Sequence, residues 1–125
     1  MLKRFLLYLF QKIGVKVVKY PKSSFEYLLS RDRYDGEEII LLNKPFKISD
    51  GHAFYYSHRE IFLDEIYQFH STRQNPTIID CGSNYGTSIL YFKNLYPKAK
   101  IIGIEADSNI FDILNRNIHQ HNFND

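Results

Sequence analysis

The chain has 125 residues, of which 44% are apolar and 24% are charged, so it is long enough for one domain with a core and too apolar for a disordered protein. Its formal net charge of +2 is too small to indicate a nucleic-acid-binding protein. The single cysteine, Cys81, excludes an internal disulfide, and its place at the end of an apolar run predicts a small buried residue.

The first 22 residues are basic and partly apolar, with six lysines and arginines before the first acid, Glu26. The apolar run FLLYLF is too short to span a membrane and too short for a signal peptide. Two interpretations of residues 1–20 stay open: a helix that packs its apolar side on the domain, and a basic amphipathic helix that contacts an anionic membrane surface. The sequence as a whole predicts a cytoplasmic protein.

The following stretch, up to residue 75, predicts a helical and hairpin leader. Ser23 or Ser24 is a candidate cap for a short helix over residues 25–31, and RDRYDGEE (31–38) predicts a turn. Residues 39–57 are rich in β-formers and contain Asp50-Gly51, which predicts strands joined by a tight turn at that pair. Residues 58–70 predict an amphipathic helix. The residues at helical spacing in it are Ile61, Phe62, Glu65, Ile66 and Phe69.

The texture changes after Pro76, and residues 76–125 predict a second unit of α/β type. TIID (77–80) and KAKIIGIE (98–105) predict strands, each followed by a helix, over 86–97 and 106–122. Asp107 or Ser108 is the expected cap of the last helix. The order β-α-β-α predicts a parallel sheet. The residues expected to be buried on the two helices are Ile89, Leu90, Phe92 and Leu95, then Ile110, Phe111, Leu114 and Ile118.

The stretch PTIIDCGSNYGTS (76–88) carries the pattern with the clearest chemistry. Asp80 ends the first parallel strand, where open α/β sheets bind ligands, and Gly82 and Gly86 flank the turn into the next helix. Asn84, between the glycines, tolerates the left-handed backbone region. Glu105 ends the neighbouring strand, nineteen residues beyond Gly86, where a carboxylate can accept hydrogen bonds from both hydroxyls of a ribose.

The spacing discriminates between cofactors. Dinucleotide folds require Gly-x-Gly-x-x-Gly, whereas this turn has Asp-x-Gly-x-x-x-Gly, and no Gly-Lys-Ser/Thr follows for a phosphate-binding loop. The carboxylate of Asp80 suits a ligand with a positive end, such as the sulfonium and ammonium of S-adenosylmethionine. Each feature taken singly has an equally good structural explanation. Asp80 can be a strand-end residue that accepts backbone N–H groups, the glycines can mark a tight turn, and Glu105 can be part of a helix cap.

Residues 78–118, IIDCGSNYGTSILYFKNLYPKAKIIGIEADSNIFDILNRNI, resemble the FkbM family of S-adenosylmethionine-dependent methyltransferases, and residues 59–69 resemble its lead-in. The resemblance implies the N-terminal part of a Rossmann-like class I methyltransferase fold. It implies Asp80, Gly82, Asn84 and Gly86 at the methionine end of the cofactor, Ser83 and Tyr85 touching it through backbone, and Glu105 on the ribose. The family mostly methylates oxygen on sugars, polyketides and related small molecules.

The family's sheet has seven strands, and this chain supplies two parallel ones. We therefore name no catalytic residue, and we expect the chain alone to be inactive and to self-associate through its open sheet edge. His119 and His121 lack a third ligand for a metal, and His58 and His70 are expected at surface or capping positions. The alternative function is a non-catalytic module that binds a cofactor or a partner.

Overall fold

The computed structural model describes residues 25–123. The N-terminal helix, its membrane alternative and the Ser23 or Ser24 cap lie outside these residues. The described chain is a mixed α/β protein. Its elements are a 3₁₀ helix (Glu26–Ser30), β1 (Glu37–Leu41), β2 (Lys44–Ile48), α1 (Gly51–His58), a π-helical turn (Arg59–Leu63), β3 (Thr77–Cys81), α2 (Thr87–Leu95), β4 (Lys100–Ile104) and α3 (Ser108–Gln120).

Strands β1 and β2 form an antiparallel hairpin with Leu41 opposite Lys44. The two residues between them, Leu42 and Asn43, have φ values of 50° and 63°, which a two-residue hairpin turn requires. The prediction of a tight turn at Asp50-Gly51 is therefore wrong. Asp50 is instead the N-cap of α1, where its Oδ1 accepts hydrogen bonds from the N–H groups of His52 at 2.9 Å and Ala53 at 3.3 Å.

The helix predicted over residues 58–70 is also wrong in its limits. Helical structure begins at Gly51 and ends with the π-helical turn at Leu63, closed by an N–H of Asp64 that donates to the carbonyl of Arg59 at 2.9 Å. Glu65 then has φ 52°, in the left-handed region, which stops helix propagation. Ile61 and Phe62 are buried as expected, whereas Ile66 and Phe69 are 58% and 39% exposed.

The predicted β-α-β-α order is confirmed. Strands β3 and β4 pair in parallel, from Thr77 opposite Lys100 to Cys81 opposite Ile104, and α2 connects them. Helix α2 buries Ile89, Leu90 and Phe92, and Leu95 is partly buried. A Cβ atom at Gly103 of β4 would lie 2.8 Å from Cδ1 of Ile89, so this glycine allows α2 to pack directly on the strand.

Helix α3 begins at the expected cap, since Oδ1 of Asp107 accepts the N–H of Asn109 at 2.8 Å. Leu114 is buried and Ile110 and Ile118 are partly buried, as predicted. Phe111 is 44% exposed, so its predicted burial is wrong, and the fully buried residue on this helix is Asn117. Apolar periodicity does not predict the burial of a polar residue at a core position.

One hydrophobic core joins the leader to the parallel pair. It contains Phe46, Ile48 and Phe54 from the leader, and Tyr85, Leu90 and Tyr91 from the α/β part. Helix α3 packs on β2, and the π-helical turn packs on α2. Side chains of both parts thus remove one another from water, which is the main source of stability in such a fold. Whether residues 1–75 and 76–125 are separate domains stays a prediction.

The outer face of the parallel pair is exposed. Ile79, Ile102 and Ile104 are 63%, 45% and 51% exposed, and Cys81 beside them is exposed as well. The predicted burial of Cys81 is wrong because side chains alternate along a strand, and no element within residues 25–123 covers this face. Within the same residues, each of the two strands pairs with one other strand. No helix in this part of the chain is long and apolar enough to cross a membrane.

Candidate functional site

The turn after β3, residues 82–86, is held at the end of the parallel pair by backbone hydrogen bonds. The N–H groups of Gly82 and Ser83 both donate to the carbonyl of Ile104, the last residue of β4, at 2.8 and 2.9 Å. Gly82, Asn84 and Gly86 have φ values of 84°, 46° and 91°. The three residues that the sequence marked as tolerant of positive φ are the ones that adopt it, and we call residues 82–86 the glycine loop.

The two glycines of this loop have different surroundings. A Cβ atom at Gly82 would have no other atom of the described residues within 4 Å. A Cβ atom at Gly86 would lie only 2.8 Å from Cδ1 of Leu114 on α3. Gly82 therefore leaves its side of the loop open to a ligand, whereas Gly86 allows α3 to pack close beneath the loop.

Asp80 lies on the inner face of β3, opposite Gly103 of β4. Its Oδ2 accepts a hydrogen bond from Oγ of Ser88, in the first turn of α2, at 2.5 Å. Its carbonyl accepts a second bond from Oγ of Ser83 at 2.9 Å. The carboxylate is thus oriented by a hydroxyl that the turn sequence GTS supplies, and it faces the start of α2.

Glu105 directly follows β4 and lies across the glycine loop. Its Oε2 accepts the N–H of Asn84 at 2.9 Å, and its Oε1 accepts the N–H of Asp107 at 2.9 Å. The structure therefore brings Glu105 to the same end of the sheet as the glycine loop and gives it a structural role there. A carboxylate offers about four acceptor sites, so two backbone bonds leave capacity for a ligand's hydroxyl groups.

A cleft of about 180 Å³ opens beside Asp80. Six of its lining residues come from the stretch around the glycine loop: Asp80, Gly82, Ser83, Asn84, Thr87 and Ser88. Three come from the leader: Ser57, Ile61 and Tyr67. The cleft is smaller than the roughly 300–1,000 Å³ of a complete small-molecule site.

Sequence reasoning missed the leader side of this cleft. Ser57 and Ile61 reach the cleft because the chain turns from α1 into the π-helical turn, and Tyr67 because its ring stacks on Phe92 with centroids 6.2 Å apart. These placements result from tertiary packing and have no local motif. Thr87 and Ser88 could have been found, since they are small hydroxyl residues at the start of the helix after the glycine loop.

Two residues of the loop turn into the protein. Ser83 and Tyr85 are 1% and 4% exposed. The Tyr85 side chain reaches the leader, where its hydroxyl lies 2.9 Å from Oγ of Ser49, and its carbonyl accepts a hydrogen bond from Nδ2 of Asn117 at 2.9 Å. The Tyr85 side chain therefore packs into the core and is not part of the cleft lining.

His58 is buried, so its expected surface or capping position is wrong. It is 3% exposed, and its ring stacks on Phe62 at 5.1 Å in an aromatic cluster that includes Phe25 and Phe54. Burial lowers the pKa of His58 to about 4, so it is neutral at neutral pH.

The other histidines do not form a site. His70 is exposed as expected. His119 is exposed with Nδ1 2.7 Å from the carbonyl of Asn115, whereas His121 is buried, and burial, with a contribution from Lys44, lowers the pKa of His121. Residues 25–123 contain no group of three histidine, cysteine or carboxylate side chains placed to hold a metal ion.

Parts of the chain are similar to curated proteins named methyltransferases. An alignment of 89 residues is 40% identical to Methyltransferase sdnD of Sordaria araneosa and covers 64% of this chain and 34% of that protein. An alignment of 65 residues is 35% identical to Methyltransferase 1 of Beauveria bassiana (strain ARSEF 2860) and covers 52% of this chain and 26% of that protein. The chain spans about a third or less of the length of these relatives. No protein-family model and no solved structure matches the chain. These similarities support a methyltransferase.

Proposed function

We propose that this chain supplies the S-adenosylmethionine-binding part of a Rossmann-like methyltransferase of the FkbM type. The observation that carries the proposal is the juxtaposition of Asp80 and Glu105. They stand at the ends of two parallel strands that pair in register, and the glycine loop between them donates a backbone N–H to Glu105. The named relatives support the reaction class, and the resemblance of residues 78–118 supports the family.

Asp80 is assigned to the methionine end of the cofactor. The cleft beside it is lined by hydroxyls and exposed backbone, and its carboxylate is the one charged group among the lining residues. A ligand that carries a sulfonium and an ammonium gains Coulomb energy there, about 4 kcal/mol for a unit pair at 4 Å near a protein surface before desolvation is subtracted. Ser88 keeps the carboxylate oriented, which lowers the entropy lost on binding.

Glu105 is assigned to the ribose. The two backbone N–H groups fix both carboxylate oxygens at the end of β4, so the remaining lone pairs have a defined direction. Hydrogen bonds to a charged acceptor contribute roughly 1.5–3 kcal/mol each. The same negative charge would repel a nucleotide with a phosphate on the ribose.

The reaction proposed for the whole protein is transfer of the sulfonium methyl group to a hydroxyl oxygen of a sugar, a polyketide or another small molecule. The new bond joins the methyl carbon to the oxygen, the carbon–sulfur bond breaks, and the hydroxyl proton passes to a base. The chain's own contribution is to hold the sulfonium end in one orientation, so that a hydroxyl can approach in line with the breaking bond. No residue of 25–123 is assigned as the base.

Binding is the measurement that tests this function. Calorimetric titration with S-adenosylhomocysteine should show one site in the wild-type chain. Glu105→Gln should weaken that binding about tenfold, which corresponds to about 1.4 kcal/mol. Asp112→Asn, at an exposed position on α3, is the matched control with the same change of charge and should leave the affinity unaltered. Absence of binding by the folded wild-type chain, or equal affinity in all three proteins, would contradict the proposal.

A further inference from the structure

The side chain of Asn117 joins three parts of the molecule that are distant in sequence. It projects from α3, is 0% exposed, and makes three hydrogen bonds. Its Oδ1 accepts the N–H of Lys47 on β2 at 2.7 Å, and its Nδ2 donates to the carbonyl of Lys47 at 2.9 Å. The third bond runs from Nδ2 to the carbonyl of Tyr85, in the middle of the glycine loop, at 2.9 Å.

The geometry on the hairpin side imitates strand pairing. An amide that both accepts from and donates to the same residue does what a neighbouring strand would do at that position. Lys47, which lies opposite Glu38 in the hairpin, is thereby hydrogen-bonded to α3 as well. The oxygen and the nitrogen of the Asn117 amide are both hydrogen-bonded, so its burial leaves no polar atom without a partner.

The hydrogen bond from Asn117 to the glycine loop is made at Tyr85, beside the residues that fix the loop conformation. Tyr85 lies between Asn84, whose N–H meets Glu105, and Gly86, whose N–H donates to the carbonyl of Ser83 at 2.8 Å. Gly86 also lies close to two residues of α3: Leu114, three residues before Asn117, and Ile118, directly after it. The side chain of Tyr85 adds a second tie to the leader through Ser49 at 2.9 Å.

We propose that Asn117 is a positioning residue of the cofactor site. It couples the β1–β2 hairpin to the glycine loop and thereby holds Asn84 and Gly82 in the conformation that meets the ligand. This inference rests on the proposed function for the identity of the ligand, but the coupling itself belongs to the protein without ligand. The helix face that bears Leu114, Asn117 and Ile118 then supports the glycine loop and is also a face of the core.

The first test is ligand affinity in folded protein. Asn117→Ala removes all three bonds. Asn117→Asp keeps an acceptor for the N–H of Lys47 and removes the donor to the carbonyls of Lys47 and Tyr85. Both should bind S-adenosylhomocysteine at least about fivefold more weakly than wild type, the lower end of typical couplings between sites. The measurement is made at a temperature where circular dichroism shows each variant to be folded.

Two controls separate positioning from general destabilisation. Asn115→Ala changes an exposed residue on the same helix and should not alter affinity. Leu28→Ala removes a fully buried side chain of the leader, from the residue whose Cβ lies 3.2 Å from a Cβ placed on Gly51. It should lower the melting temperature at least as much as Asn117→Ala and leave the affinity of the folded protein within about twofold of wild type. Equal affinities in Asn117→Ala and wild type would overturn the inference.

The second test needs no ligand. Hydrogen exchange of the Asn84 and Gly86 amides should be faster in Asn117→Ala, relative to the β3–β4 amides of the same protein, than in wild type. Unchanged exchange of these loop amides would overturn the inference even if the wild-type chain binds the cofactor. Failure of the wild-type chain to bind S-adenosylhomocysteine, with faster loop exchange in the variant, would overturn the proposed function and leave the coupling supported.

Discussion

The two small sheets of this protein differ in how their faces are covered. In the hairpin, one face is closed: Ile39, Leu41, Phe46 and Ile48 are between 0% and 4% exposed. In the parallel pair neither face is fully buried, and the outer one exposes Ile79, Ile102 and Ile104. An antiparallel ribbon needs cover on one face only, whereas parallel sheets are normally covered on both. The hairpin therefore gives one closed face to the core, and the parallel pair carries the candidate site.

The largest effect that follows from this difference concerns core truncation. Phe46→Ala removes a side chain that is 0% exposed and should lower the free energy of unfolding by about 3–5 kcal/mol, through lost burial and a cavity. Ile79→Ala, at a position that is 63% exposed, should change it by less than about 0.5 kcal/mol. Urea denaturation monitored by circular dichroism measures both. A similar loss in the two variants would show that the outer face of the parallel pair is buried in solution.

The two parts of the molecule also differ in how well the sequence predicts them. The α/β part was predicted well because its signals are local: two apolar runs, the Asp107 cap, and glycines at the positions that need positive φ. The place of the candidate site follows from the same signals, since Asp80 is the next-to-last residue of β3 and Glu105 directly follows β4. Parallel pairing then brings those ends together without further information.

The leader was predicted poorly because its signals are ambiguous. Asp-Gly is compatible with a hairpin turn and with a helix start, and tertiary contacts decide between them. Arg33 pairs with Asp50 at 2.6 Å, and a Cβ on Gly51 would lie 3.2 Å from side-chain atoms of Leu28, so the pair sits at the start of a packed helix. The burial of Asn117 is not predictable for a related reason, because hydrophobic periodicity assigns an asparagine to the surface.

The second-largest effect is a loss of stability in acid, through the buried His58 in the aromatic cluster of the leader. The pKa of His58 is about 4 in the folded protein against an ordinary value of 6.5, because burial disfavours its charged form. The unfolded chain therefore binds one more proton between these values, so stability is complete above about pH 6.5 and falls as the pH drops toward 4. The shift corresponds to a loss of about 3 kcal/mol. Urea denaturation at pH 7, 6, 5 and 4.5 measures the slope.

His58→Phe is the control for this pH dependence, because it keeps an aromatic ring against Phe62 and removes the titrating group. The variant should keep only a weaker slope between pH 7 and 4.5, from His121, whose pKa is also lowered by burial. Identical slopes in wild type and His58→Phe would show that protonation of His58 is not what destabilises the protein in acid.

The smallest effect expected is at an exposed link between the hairpin and α3. Arg116 donates from a guanidinium nitrogen to Oε2 of Glu38 at 2.6 Å, one helical position before Asn117, but the two side chains are 53% and 42% exposed. Exposed ion pairs typically contribute 0.2–1 kcal/mol and are screened by salt. A double-mutant cycle of Glu38→Ala and Arg116→Ala should give a coupling in that range. The coupling should nearly vanish at about 1 M NaCl, where the Debye length is about 3 Å.

The buried amide of Asn117 joins the same two elements without a charge on either partner, so its contribution should be insensitive to salt. A coupling of Arg116 with Glu38 that exceeded the destabilisation by Asn117→Ala would mean that surface charge, and not the buried amide, holds the hairpin against the site.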